Sequence, residues 1–225
     1  MLWFLQPGVT LETVFMRVLS VLVIIFLILP LHECAHAWMA YKMGDSTAKG
    51  RGRLTLNPLP SIDPIGAVCI LLFGFGWAKP VPVDSRYFLK HRKAKMALTA
   101  LAGPVSNLLA ALIGALVFYL IAFLTGYSAN VVMNYVATFF LYYITININL
   151  AVFNLIPLPP LDGSRILAAF LPDRMVYQYY RYQNIIMLVV FVLLFTGVLS
   201  RPLGWLSQQV YTGITNLAAL PFSFA

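Results

Sequence analysis

Long apolar stretches alternate with short polar or proline-rich stretches along the chain. A helix that crosses the hydrocarbon core of a bilayer needs about 20 mostly apolar residues, and several of these stretches reach that length. The pattern therefore predicts an all-α polytopic membrane protein, a helical bundle of about four to six membrane segments. The predicted helical segments are 14–43, 96–124, 131–156 and C-terminal spans within 183–220, namely a span over 183–199 and a segment 205–220 that is either a short span or an interfacial helix.

The region 57–89 departs from this pattern. It contains a short apolar run, 65–77, with basic residues on both sides. A full crossing would place one basic flank outside, so we expect a re-entrant segment that keeps both flanks on the cytoplasmic side. In the following stretch, 78–83, Pro80 and Pro82 alternate with valines and exclude a helix, which predicts an exposed strand or a polyproline-like edge.

Composition excludes a soluble globular domain. Hydrophobic residues make up 61% of the 225 residues and charged residues 10%, against roughly 25% charged residues in an ordinary soluble domain. The two cysteines are too few for a disulfide framework. The N-terminus lacks the basic region and the cleavage site of a signal peptide, so we expect the first span to be retained.

Positive charge is concentrated in one part of the chain. The formal net charge is +8, and ten of the fifteen Lys and Arg residues lie between Lys42 and Lys95. No nucleic-acid recognition motif accompanies them, so we expect these residues to meet anionic membrane lipid rather than nucleic acid. We expect every Lys and Arg except Arg17 and Arg201 to lie in the cytoplasm. This orientation puts the N-terminus outside and His36 near the cytoplasmic face. We expect a multi-pass protein of the plasma membrane.

The first predicted span carries an unusual polar group. Its residues His32, Glu33 and His36 form the pattern H-E-x-x-H. Histidines four apart lie on one face of a helix and can reach one metal ion, with the glutamate beside them. An acid near the bilayer centre costs about 2.5 to 3.5 kcal/mol on insertion scales, so ionisable groups there are functional sites by default. The pattern predicts a zinc site with its own base.

A hydrolytic zinc site needs a third protein ligand and one open position. Asp162 is the favoured candidate because it follows an asparagine-bearing span and a proline turn that can aim it back into the bundle. Asp63, between prolines beside the short apolar run, is the reserve candidate.

Three motifs together resemble the site-2 protease family of intramembrane zinc metalloproteases. They are HECAH at 32–36, AGPVSN at 102–107 and NLIPLPPLDG at 154–163. The resemblance implies that His32, His36 and Asp162 bind one Zn²⁺ per chain and that Glu33 is the general base and acid. It implies that Asn154 lies near the substrate or the developing oxyanion. Asn107 is a weaker candidate for that role, since a buried asparagine is more often a hydrogen-bonding partner between helices.

The same resemblance extends to substrates and domains. Substrates are expected to be transmembrane proteins or signal-peptide remnants, cleaved in or near the membrane. The stretch 76–83 resembles an element thought to hold substrate as an extended strand, which would be β-augmentation. Many family members carry a PDZ or CBS domain. We expect neither here, and one membrane-embedded protease domain over 1–225.

A metal transporter or sensor is the rival interpretation. It would use the same two histidines and aspartate without hydrolysis, and it would not need Glu33 as an acid or base. The sequence assigns no oligomeric state.

Overall fold

The computed structural model describes residues 11–73, 76–126 and 130–223, which form helices and irregular connections with no strand among them. The predicted all-helical class is confirmed. The α-helices are α1 Leu11–Val23, α2 Leu29–Lys42, α3 Thr47–Gly50, α4 Pro64–Phe73, α5 Arg92–Leu124, α6 Val131–Asn154, α7 Asp162–Phe170, α8 Asp173–Arg181, α9 Gln183–Phe195 and α10 Ser200–Ala219, with a π-helical segment Ile24–Ile28 and 3₁₀ turns Leu59–Ser61, Ser85–Tyr87 and Leu220–Phe222.

Within the described residues, three helical segments are long and apolar enough to cross a membrane, namely Val18–Lys42, Arg92–Leu124 and Val131–Asn154. The C-terminal part differs from a full span over 183–199. Helix α9 has 13 residues, about 20 Å at 1.5 Å per residue, because the chain turns at Gly197, whose φ is +74°. Helix α10 has 20 residues but is not apolar enough to be counted with the three.

Internal packing divides the chain into two compact units, one ending at Arg92 and one beginning at Lys93. In the first unit, α1 runs through the π-helical segment into α2. Pro30 lies in the first turn of α2, and its missing N–H and bulky ring disturb the preceding turn of a regular α-helix. A wider π turn at that point accommodates the proline.

Helix α4 begins a reversal of the chain. An added Cβ on Gly66 would lie 2.0 Å from the carbonyl oxygen of Trp77, and one on Gly76 would lie 2.1 Å from the carbonyl oxygen of Gly66. The chain therefore returns to the beginning of α4, and the Lys79 N–H donates to the carbonyl oxygen of Ser61 at 2.9 Å. Entry and return at the same end of α4 are what the re-entrant prediction requires.

The stretch after the reversal corrects one expectation. Residues 76–84 form neither helix nor strand. Lys79 and Pro80 are exposed, but the Val81 side chain is buried against Ala37 and Ala48. The predicted exposed edge is wrong at Val81, because its apolar side chain packs against Ala37 of α2 and Ala48 of α3.

The second unit has its core where α5, α6 and α10 meet. Small residues of α5, Ala111 and Ala115, pack with Ile144 and Ile148 of α6 and with Ala218 of α10. Small side chains let helix backbones approach closely, which is the usual basis of helix association in membranes.

Candidate metal centre

Helix α2 brings the two histidines of the motif together. The Nε2 atoms of His32 and His36 are 3.0 Å apart, and the two rings meet edge to face with centroids 4.6 Å apart. Both side chains are buried, with 5% and 6% of their surfaces exposed. The four-residue spacing therefore gives the convergence expected from one helix face.

This convergence fits a zinc ion. Two nitrogens that each lie about 2.0–2.1 Å from a tetrahedral zinc are about 3.3 Å from one another. The observed Nε2 to Nε2 separation of 3.0 Å is close to that value. Only small ring adjustments would be needed for both imidazoles to share one ion.

Asp162 is positioned by the proline turn that precedes α7. It is the first residue of α7. The next residue is Gly163, where an added Cβ would lie 2.3 Å from the carbonyl oxygen of Leu155 and 2.4 Å from that of Ile156. The Tyr179 hydroxyl of α8 donates to the carbonyl oxygen of Pro157 and holds the same turn. Glycine after the aspartate is thus a packing requirement of the turn.

The three predicted ligands have suitable chemistry for a metal ion, since His32, His36 and Asp162 can each offer one ligand atom. Two imidazole nitrogens and one carboxylate oxygen form a donor set of the catalytic zinc type, which leaves a fourth position for water or substrate. The reserve candidate has another role. Asp63 Oδ1 accepts the backbone N–H groups of Ile65 and Gly66 at 3.0 and 2.9 Å, which satisfies donors in the first turn of α4.

Glu33 lies beside the histidines and has a backbone partner. Its side chain is 9% exposed, and its Oε2 accepts a hydrogen bond from the Val81 N–H at 3.1 Å. The two residues are 48 positions apart in sequence, so no local pattern indicates this contact. The stretch around Val81 was predicted to hold substrate, and its contact with the proposed base was not predicted.

The two asparagine candidates differ in their surroundings. Asn107 is fully buried in α5. Asn154 is the last residue of α6, and its Nδ2 donates to the Leu150 carbonyl oxygen of the same helix at 3.0 Å. An amide nitrogen carries two N–H groups, so Asn154 retains the capacity for a second donated bond.

Asp84 is strongly acidic. Arg86 donates from its guanidinium to both carboxylate oxygens and from its backbone N–H to Oδ1. These bonds favour the ionised form and lower the pKa of Asp84 to about 2. Asp84 is therefore a carboxylate at every physiological pH.

Apolar spanning helices and a buried H-E-x-x-H group define the class of a membrane metallopeptidase. Residues 121–197, which include the Asp162 motif, match the model of Peptidase family M50. “Putative zinc metalloprotease YwhC” of Bacillus subtilis is 46% identical over 168 residues, covering 72% of this chain and 75% of the relative. “Putative zinc metalloprotease Rip2” of Mycolicibacterium smegmatis is 30% identical over 191 residues, covering 80% and 67%. No solved structure matches the chain.

The chain belongs to peptidase family M50, the site-2 protease family, and is a membrane-embedded zinc metalloprotease. The predicted family, enzyme class and cofactor are thereby confirmed.

Proposed function

We propose that this protease cleaves peptide bonds within or beside the transmembrane segments of other membrane proteins, including signal-peptide remnants. One observation carries the proposal: the buried group of His32, Glu33 and His36 lies inside Val18–Lys42, a helix apolar and long enough to cross the membrane. A hydrolytic centre at that depth acts on bonds that soluble proteases cannot reach.

We assign His32, His36 and Asp162 as the residues that hold zinc. A zinc ion held there would supply the Lewis-acid chemistry that polarises a scissile carbonyl and makes water nucleophilic at neutral pH. Glu33 takes the proton of the attacking water and passes it to the leaving amine. Asn154, through its second N–H, and Asn107 are assigned to the substrate backbone or the developing oxyanion.

The proposed orientation places the site towards the cytoplasmic side of the plasma membrane. His36 lies six residues before Lys42, the last residue of α2. Cations flank the cytoplasmic ends of membrane helices. A site one or two turns from that end is within reach of water, which hydrolysis consumes.

Substrate helices must unwind before cleavage, because a regular helix engages its own amide groups. We expect transmembrane segments with Gly, Pro or Asn near the cut to be cleaved faster than a uniform leucine helix of equal length. Paired substrates that differ only at those positions, cleaved by the purified enzyme in liposomes, measure this preference. Equal cleavage rates would refute the unwinding requirement.

The central experiment compares wild type with Glu33→Gln on a panel of tagged single-pass membrane proteins. The amide keeps the shape of Glu33 but cannot accept a proton, so cleavage should fall by at least about 10²-fold while zinc stays bound. Cys34→Ser is the matched control, because the neighbouring free and partly buried thiol has no role in the proposed chemistry. Its cleavage rate should equal that of wild type.

Two results would contradict the proposal. Full cleavage by Glu33→Gln would remove Glu33 from the mechanism. Zinc transport or sensing that is unchanged in Glu33→Gln, with no cleavage by wild type, would favour the rival interpretation.

A further inference from the structure

The segment 79–84 contacts Glu33 and is hydrogen-bonded to other parts of the first unit at several points. The Val81 N–H donates to Glu33. Towards the start of the segment, the Lys79 N–H donates to Ser61 and its carbonyl oxygen accepts from Arg53. At its end, the Asp84 N–H donates to Asp45 Oδ2 at 2.7 Å. Glu33 is thus held by a backbone group whose own position is fixed on both sides.

Few backbone donors are available in this segment. Pro80 and Pro82 carry no N–H. The N–H groups of Lys79, Val81 and Asp84 already point to partners within the first unit. Pairing a substrate along this edge would therefore depend on carbonyl acceptors and on the Val83 N–H, since the Val81 amide donates to Glu33 instead.

Two buried charged residues, Asp45 and Arg53, make side-chain hydrogen bonds to the segment 79–84. Asp45 is completely buried and Arg53 is 8% exposed. Burying a charged group is costly unless hydrogen bonds compensate it. Asp45 contacts two backbone amides, those of Thr47 and Asp84, and Arg53 contacts the Lys79 carbonyl oxygen. The described bonds of both side chains are therefore made to backbone.

Backbone hydrogen bonds connect these two residues to the neighbouring helices. The Asp45 N–H donates to the carbonyl oxygen of Ala40 in α2. The Arg53 N–H donates to the carbonyl oxygen of Ala48 in α3, and Ala48 packs against Val81. These contacts therefore connect α2, which carries Glu33, to the segment 79–84, which donates a hydrogen bond to Glu33.

We propose that Asp45 and Arg53 are positioning residues, which hold the segment 79–84 so that the Val81 amide fixes the orientation of the Glu33 carboxylate. The inference rests on the proposed function only in taking Glu33 as the base. A carboxylate that is oriented before substrate arrives loses less freedom in the transition state, so these residues act on turnover.

Arg53→Met tests this, since methionine occupies similar space without the donors. We expect kcat to fall about tenfold and KM to stay within about twofold, because the contact orients the base rather than the substrate. Arg53→Lys, which retains one charged donor, should recover part of the loss. Arg51→Met removes the same charge from an exposed neighbouring position and should leave both constants unchanged.

Amide hydrogen exchange provides a measurement that needs no cleavage. Since prolines flank it, Val81 carries the single amide of residues 80–82, and overlapping peptides can isolate its exchange. In the detergent-purified full chain, Val81 should exchange about tenfold faster in Arg53→Met and in Asp45→Asn than in wild type, with zinc content unchanged.

The outcomes separate this inference from the proposed function. A raised KM with unchanged kcat would assign the segment to substrate binding and overturn the inference. Equal Val81 exchange in wild type and both variants would also overturn it. If wild type cleaves nothing, the proposed function fails, whereas faster exchange in the variants would still support the tie between Arg53, Asp45 and the Glu33 contact.

Discussion

A substitution at Gly163 tests whether the proline turn before α7 positions the proposed metal ligand Asp162. The change is Gly163→Ala, the smallest that adds a side-chain atom. The new Cβ would lie 2.3 and 2.4 Å from the carbonyl oxygens of Leu155 and Ile156. Real Cβ atoms essentially never lie closer than 3.0 Å to another heavy atom. Either the start of α7 or the turn that follows α6 therefore has to move.

The size of the effect follows from that distance. Reaching 3.0 Å requires a shift of about 0.7 Å or more, and misplacing a reacting group by 1 Å can cost about 10²-fold in rate. We therefore expect kcat/KM to fall by about 10²-fold, equivalent to roughly 2.7 kcal/mol of transition-state stabilisation. Overpacking of this kind also costs about 1–3 kcal/mol of stability, which a folded protein of normal stability survives.

Cleavage of a tagged single-pass substrate in liposomes measures the change in kcat/KM, and metal analysis of the same preparation measures bound zinc. Gly213→Ala is the control, because Gly213 lies within α10 and an added Cβ would meet nothing within 4 Å. That variant should keep full activity and gain about 0.5–1 kcal/mol of stability. Full activity in Gly163→Ala would refute the argument that this turn positions Asp162.

Three further predictions concern single side chains. Asp162→Asn should weaken zinc binding measured by metal analysis, whereas Asp63→Asn should keep zinc, since Asp63 bonds backbone at the start of α4. Tyr179→Phe removes the bond to the turn and should lower the free energy of unfolding by about 1 kcal/mol in denaturant unfolding. Burial raises the pKa of Tyr179 to about 12, so the stability from this bond is present below pH 10 and is lost as pH rises towards 12. The difference in phenolate absorbance between wild type and Tyr179→Phe measures that titration. Arg86 lowers the pKa of Asp84 to about 2. The NMR signal of the Asp84 carboxyl carbon should therefore stay unchanged from pH 7 down to pH 4 and move only near pH 2. A titration midpoint near the ordinary value of 3.8 would contradict the contact between Asp84 and Arg86.

The helices and part of the centre were predictable because their causes are local. Hydropathy alone locates α5 and α6, since bilayer thickness sets a length that the sequence must match. The four-residue spacing of His32 and His36 fixes their common face for the same reason. In the C-terminal region the sequence predicted a break between residues 199 and 205, and in the structure α9 ends at Phe195 and α10 begins at Ser200.

Charged residues in loops show where prediction from sequence stops. Arg53 was counted among the cations expected to meet lipid, yet it is buried and donates to a backbone carbonyl oxygen. Its neighbour Arg51 has the same side chain and is exposed. Nothing in the local sequence distinguishes the two, because burial of Arg53 depends on a chain segment that returns 26 residues later.

The contact between Val81 and Glu33 has the same origin and bears on how this site can exist in a membrane. A carboxylate in an apolar helix is costly until donors compensate it. The Val81 N–H supplies one donor from the same unit, and the adjacent prolines leave that amide without competing neighbours on either side. The hydrogen bond from Val81 that lowers the cost of burying Glu33 in an apolar helix is therefore also the bond that we expect to orient its carboxylate. Substitutions that weaken the contacts of the segment 79–84 should lower turnover before they unfold the protein.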